Sequence, residues 1–157
     1  ANYILERLSG FEPRADKRFI YGHSLGAAVA LDLAARADGA TGVIAEAGFT
    51  SLPDVVAGTN RAMSLLVTQR FDALARVREL KVPAMFVHGT ADNVVPPAMS
   101  EALYAAAPEP KRLLMIEGAN HGNWNGVGLG DWARAIDEFV GVAGSAQRAR
   151  TALAGTS

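Results

Sequence analysis

The chain has 157 residues and a formal charge of −1, with 50% of its residues hydrophobic and 20% charged, the composition of a single folded domain with enough apolar material for a core. With no Lys/Arg run it offers no electrostatic footprint for nucleic acid, and with no cysteine it excludes disulfides, thiolate-bound zinc and a thiol nucleophile. Its three histidines lack H-E-x-x-H spacing, so chemistry has to come from hydroxyl, imidazole, carboxylate and backbone groups, and neither a metal nor an organic cofactor is expected.

Taken in chain order, residues 2–8 read as a short helix, and Phe19-Ile20-Tyr21 as a strand that breaks at Gly22. The alanine-rich run from Leu25 to Ala37 reads as a helix, Val43-Ile44-Ala45 as a second strand, and residues 61–80 as a helix interrupted near Gln69. Ala84-Met85-Phe86-Val87 follows as a third strand, Pro97 to Ala106 as a helix behind the Pro96-Pro97 start signal, Leu113-Leu114-Met115-Ile116 as a fourth strand, and Gly130 to Val142 as a last helix. Continuous apolar runs of this length suit parallel strands covered on both faces. Alternation with helices predicts an α/β fold with a parallel sheet of about four strands and right-handed crossovers. The domain is expected to span residues 1–142. From residue 143 the composition turns to Gly, Ala, Ser and Arg without an apolar stripe, which predicts a flexible tail over 143–157.

The chemistry-bearing motif is Gly22-His23-Ser24-Leu25-Gly26. A G-x-S-x-G string alone is weak, but here an apolar strand precedes it and a helix follows at once, the context that a nucleophile elbow requires. Small residues at Gly22 and Gly26 let strand and helix approach, and the helix amino end places the Leu25 N–H where an oxyanion would form beside Ser24.

A serine hydroxyl needs a base, and the base an orienting group. His121 lies in a glycine-bounded loop just beyond the fourth strand, where the carboxyl ends of parallel strands converge on ligand sites, and is the expected base. Backbone geometry turns His23 away from the hydroxyl of its neighbour and towards a pocket wall, and His88 reads as a hydrogen-bonded structural residue. Asp92, on the loop leaving the third strand, is the expected acid because the order Ser, Asp, His goes with this elbow. Glu46 at the end of the second strand is the alternative, with Glu117 and Asp54 weaker. Glu46, Phe49 and Trp124 are further candidates for the pocket wall, and Met63 and Leu66 would contribute if residues 53–70 form a short cap.

These residues resemble the α/β-hydrolase superfamily. The resemblance is carried by the elbow, by His88-Gly89-Thr90-Ala91-Asp92 with Val94-Val95-Pro96, and by Gly118-Ala119-Asn120-His121; Ala47-Gly48-Phe49-Thr50-Ser51-Leu52 and Phe71-Asp72 look like the dienelactone-hydrolase and prolyl-oligopeptidase branches. It implies that Ser24 is the nucleophile, Asp92 the orienting acid, His121 the general base and then acid, and Leu25 N–H an oxyanion donor. The implied activity is hydrolysis of a small ester, thioester, amide or peptide through an acyl-enzyme; the alternative is a noncatalytic binding or interaction module on the same fold.

In that superfamily several strands, and a loop that gives a second oxyanion donor, precede the nucleophile. Here the elbow follows the first strand, so the chain is expected to be the C-terminal portion of a longer hydrolase, impaired in turnover and open to association through an exposed sheet edge. No apolar run reaches the roughly 18 residues that span a bilayer, no signal-peptide pattern opens the chain, and a cytoplasmic location is expected.

Overall fold

The computed structural model describes residues 17–59 and 71–154. Four strands form one parallel sheet in the order β1 (Phe19–His23), β2 (Gly42–Glu46), β3 (Ala84–Gly89), β4 (Lys111–Ile116). All four lie where the apolar runs predict them. The two central strands are buried at every position, whereas β1 and β4, at the ends of the described sheet, are mostly half-buried. The register pairs Gly22 with Ala45 and His23 with Glu46, so the last residues of β1 and β2 stand side by side.

Crossovers that share one hand and advance in one direction put their helices on one face. The helices α1 (Leu25–Arg36), α3 (Ala73–Arg78) and α4 (Pro97–Ala106) accordingly share a core with β2 and β3 that includes Ala27, Leu31, Val43, Val77, Phe86 and Leu103. The opposite face is closed by α6 (Leu129–Ala154), whose Ala135, Phe139 and Ala143 pack on Ile44, Met85, Val87 and Ile116. Phe139 also meets Phe19 of β1 edge-on, with ring centroids 6.0 Å apart.

The departures from the sequence reading are explained by contacts in the structure. Residues 143–154, read as a flexible tail, continue α6: Ala143 is fully buried, and Gln147 accepts a hydrogen bond of 2.7 Å from the Thr41 hydroxyl, so the helix has partners its composition does not announce. A helix absent from the sequence reading, α2 (Leu52–Thr59), begins after Ser51. Its start is a reciprocal cap in which the Ser51 hydroxyl donates to Asp54 at 2.7 Å while accepting from the Asp54 N–H at 3.3 Å. The helix foreseen over 61–80 is represented among the described residues by α3 alone, where the Asp72 carboxylate caps the Ala75 N–H at 3.0 Å; residues 2–8 and 60–70 lie outside the described residues, Met63 and Leu66 with them. A four-residue helix, α5 (Trp124–Val127), follows the loop after β4.

Candidate active site

Parallel strands end on one side of the sheet, and that side gathers the loops after β1, β3 and β4. The first is a tight elbow. Ser24 holds φ at 54°, in the left-handed region that a non-glycine residue enters only when its surroundings compel it. The compulsion is visible: the Ser24 N–H donates to the Glu46 carbonyl at 2.8 Å, and the Ser24 carbonyl accepts from the Ala27 N–H at 2.9 Å to begin α1. Gly22 makes the turn possible, because a Cβ there would sit 2.0 Å from the Gly26 carbonyl oxygen. Leu25 is the first residue of α1, where an α-helix leaves its N–H groups without intrahelical acceptors.

The loop after β3 holds Asp92 by its backbone surroundings. Oδ1 accepts the N–H groups of Val94 and Val95 at 2.8 and 2.9 Å. Oδ2 lies 2.7 Å from Nδ1 of His121 and 3.2 Å from Nε2 of His88. Burial alone would raise this carboxyl, but the hydrogen bonds from His121, Val95 and Val94 outweigh it and hold Asp92 below the ordinary 3.8. The fully buried His88 faces the Val95 carbonyl at 3.0 Å through Nε2 and the Ser100 hydroxyl at 2.6 Å through Nδ1. Its burial outweighs the pull of Val95 and Asp92 and keeps it below the ordinary 6.5, so it is neutral at pH 7. Both shifts cost stability on acidification: the His88 contribution fades as pH falls from 6.5 through its lowered value, and that of Asp92 as pH falls from 3.8 through its own.

The loop after β4 is knit by two asparagines. Asn120 Oδ1 accepts from the N–H groups of Gly122 and Asn123, at 3.0 and 3.1 Å, and Asn123 Oδ1 accepts from the Asn120 N–H at 2.7 Å. Gly89 at the end of β3 lets this loop close on the sheet, since a Cβ there would lie 2.2 Å from the Ala119 carbonyl oxygen. The result is that His121 stands between the other two residues: Nδ1 is 2.7 Å from Asp92 and Nε2 is 3.0 Å from Oγ of Ser24. Because the carboxylate only accepts, Nδ1 carries the proton and Nε2 faces the serine hydroxyl as an acceptor. Side-chain exposure is 21% for His121 and 0% for Asp92, so the histidine is reached from solvent and its partner is not.

The remaining candidates are placed differently. Glu46, the alternative acid, is buried and accepts from the Tyr21 hydroxyl at 2.8 Å, while the carboxylate on Nδ1 of His121 is that of Asp92. Phe49 is a core residue, 3% exposed and clustered with Ala27, Phe86 and Leu103, and so does not form a pocket wall; its loop turns inward because Gly48, whose carbonyl lies 3.2 Å from the Ser100 hydroxyl, packs against α4. Trp124 opens α5. His23 turns away from the serine hydroxyl and bonds the backbone of His121. The bond from His88 to Asp92 was not foreseen; the separation of four residues off one strand was its sequence signal.

Glu46 gives a testable pH effect. Burial raises its carboxyl above the ordinary 4.5, against opposing pulls from the Tyr21 hydroxyl, His23, Trp132 and His121. A raised value in the fold means that the protonated form is favoured: the stability gained is full below 4.5 and is lost as pH rises through the folded value. Glu46→Gln keeps an acceptor for Tyr21 and cannot ionise. Its melting temperature relative to the unsubstituted protein is therefore expected to improve as pH rises above 4.5, levelling off once Glu46 has ionised in the fold. A difference that stays constant across that range would show that Glu46 does not titrate between the two states.

The chain is similar to known proteins. A family model described as serine aminopeptidase, S33, matches residues 55–126. The chain is 36% identical over 119 residues to an uncharacterized protein of Mycobacterium tuberculosis, an alignment covering 74% of the chain and 42% of that protein. To human alpha/beta hydrolase domain-containing protein 17B it is 31% identical over 131 residues, covering 81% of the chain and 42% of the relative. The fold overlays the crystal structure of the esterase domain of a Rhodothermus marinus protein with a TM-score of 0.63 at 24% identity, covering 85% of the chain and 67% of that domain. The chain belongs to the α/β-hydrolase superfamily. It spans about two-fifths of the length of the curated relatives it matches. As in any α/β-hydrolase, fold does not fix the reaction; the site has to be argued from its own geometry. Among the described residues of this α/β-hydrolase, no helix is long and apolar enough to cross a membrane.

Proposed function

We propose that this α/β-hydrolase chain carries the nucleophile, base and acid of a serine hydrolase that cleaves carboxylic esters, with thioesters and peptide or amide bonds as the wider class. The observation that supports the reading most is the continuous line from Ser24 Oγ through both nitrogens of His121 to the buried Asp92 carboxylate, at 3.0 and 2.7 Å. In the proposed reaction Ser24 Oγ attacks the carbonyl carbon while its proton passes to Nε2 of His121, and Asp92 stabilises the imidazolium. The Leu25 N–H donates to the oxyanion. Collapse of the tetrahedral adduct breaks the bond to the leaving group, which takes the proton from His121, and water then attacks the acyl-serine by the same route in reverse. Leu25, next to Ser24 in the chain, and Val94, two residues after Asp92, are exposed and give the acyl group apolar surface.

Among the described residues the elbow supplies one oxyanion donor. Loss of one donor of a pair costs turnover about 100- to 1,000-fold, and the Leu25 N–H serves the tetrahedral adducts of acylation and deacylation alike. The test is a fluorophosphonate probe followed by peptide mass mapping. The adduct is expected on Ser24 and nowhere else, and heat denaturation before labelling is expected to prevent it. A folded protein that takes up no probe would instead be a noncatalytic member of the fold.

A further inference from the structure

His23 occupies the second position of the elbow, one residue before the nucleophile, yet its ring does not address Ser24. Nε2 of His23 lies 2.9 Å from the backbone carbonyl oxygen of His121, and the two imidazoles meet with centroids 5.0 Å apart and planes tilted by 54°. A carbonyl oxygen only accepts, so Nε2 of His23 carries the proton and donates it. The rest of the histidine loop is held from elsewhere. Its asparagines bond within the loop, and its start is fixed to the loop after β3 by the Gly118 N–H, which donates to the Thr90 hydroxyl at 2.9 Å, and by the Ala119 carbonyl, which accepts from the Ala91 N–H at 2.9 Å. The bond that reaches the backbone of His121 itself comes from the elbow, through His23.

Resting on the serine-hydrolase reading, we infer that His23 is a positioning residue: it pins the base-bearing loop to the nucleophile-bearing elbow through the His121 carbonyl. The bond between Ser24 and His121 cannot do this alone, because it is the bond through which the proton moves and is remade at each step. The His23 bond involves neither the transferred proton nor the reacting oxygen, and so persists while the ring of His121 changes charge. Its anchor is itself fixed, since His23 pairs in register with Glu46, whose carbonyl holds the Ser24 N–H at 2.8 Å. A misplacement of about 1 Å between reacting groups can cost up to about 100-fold, and the contact to be held is the 3.0 Å from Nε2 of His121 to Oγ of Ser24.

The test uses the protein as the cell makes it, with p-nitrophenyl acetate as the substrate and the fluorophosphonate as a second readout, at one fixed pH. His23→Ala removes donor and ring, His23→Phe keeps a ring without a donor, and His23→Gln keeps an N–H donor of similar reach. His23→Ala and His23→Phe are expected to lower kcat about tenfold with KM within about twofold, and His23→Gln to recover to within about threefold of the unsubstituted enzyme, with labelling rates in the same order. Melting temperatures establish that each variant is folded; if His23→Ala is not, the comparison of His23→Phe with His23→Gln decides. Full kcat in His23→Phe, or His23→Gln no better than His23→Phe, overturns the positioning role while labelling of the unsubstituted protein at Ser24 leaves the hydrolase reading standing. No labelling of the unsubstituted protein overturns both.

Discussion

Ser24→Ala and His121→Ala are each expected to lower kcat for a short p-nitrophenyl ester by on the order of 10⁶-fold, and the double variant to be scarcely worse than either single one. Independent contributions would multiply. In the proposed relay they cannot, because there the hydroxyl of Ser24 acts as a nucleophile only through Nε2 of His121, 3.0 Å away, and Nε2 has no proton to take once Oγ is gone. What survives in each variant is binding and the oxyanion donor, which act on the carbonyl without either residue. Neither substitution is expected to unfold the chain: Ser24 makes its structural bonds through its own N–H and carbonyl, which alanine retains. The measurement is steady-state kinetics of the two singles and the double, with melting temperatures beside them. A double variant that falls by the product of the single effects would mean that the residues do not act as a unit, and the proposed relay would be abandoned.

The second large effect is on the fold, and it separates two glycines that look alike in the motif. Gly22→Ala is expected to cost about 3 kcal/mol, the upper part of what overpacking ordinarily does. The added carbon would lie 2.0 Å from the Gly26 oxygen, 2.4 Å from its carbonyl carbon and 2.8 Å from the Ala27 nitrogen. All three belong to the first turn of α1, so no side chain can swing aside to make room. Gly26→Ala meets nothing within 4 Å, and alanine in place of glycine in a helix favours folding by up to about 1 kcal/mol. Denaturant unfolding of the two variants is expected to give shifts of opposite sign. Equal losses would mean that the closeness of β1 and α1 is not what Gly22 provides.

Much of this architecture was legible in the residues. Four apolar runs marked four strands because β2 and β3 are covered on both faces by helices, and coverage of that kind leaves a continuous signal. The loops carrying Ser24, Asp92 and His121 were legible because each leaves the carboxyl end of a strand, and the structure brings their side chains within hydrogen-bonding distance. What escaped was set by tertiary contact. The helix from Leu129 runs past Val142 because Ala143 is buried against the sheet and Gln147 meets Thr41, contacts that no periodicity encodes. Phe49 could be taken for a pocket wall because a buried and a cleft-lining phenylalanine look the same in a loop. The start of α2 was readable, in contrast: Ser51-Leu52-Pro53-Asp54 is a serine followed three residues later by a carboxylate, with a proline inside the first turn.

Ser24 and His121 are 97 positions apart in the chain, and Asp92 is 29 from His121. Nothing local brings them together; their meeting is produced by the alignment of β1, β3 and β4 against one another. A slip of one residue between β1 and β2 would carry Ser24 about 3.3 Å along the sheet and turn its strand neighbours to the other face. The reactivity proposed for Ser24 is thus a gauge of strand register. In a partly denatured sample it would vanish while helices and strands still gave their spectroscopic signal, and a serine-directed probe would count the molecules whose sheet is correctly aligned.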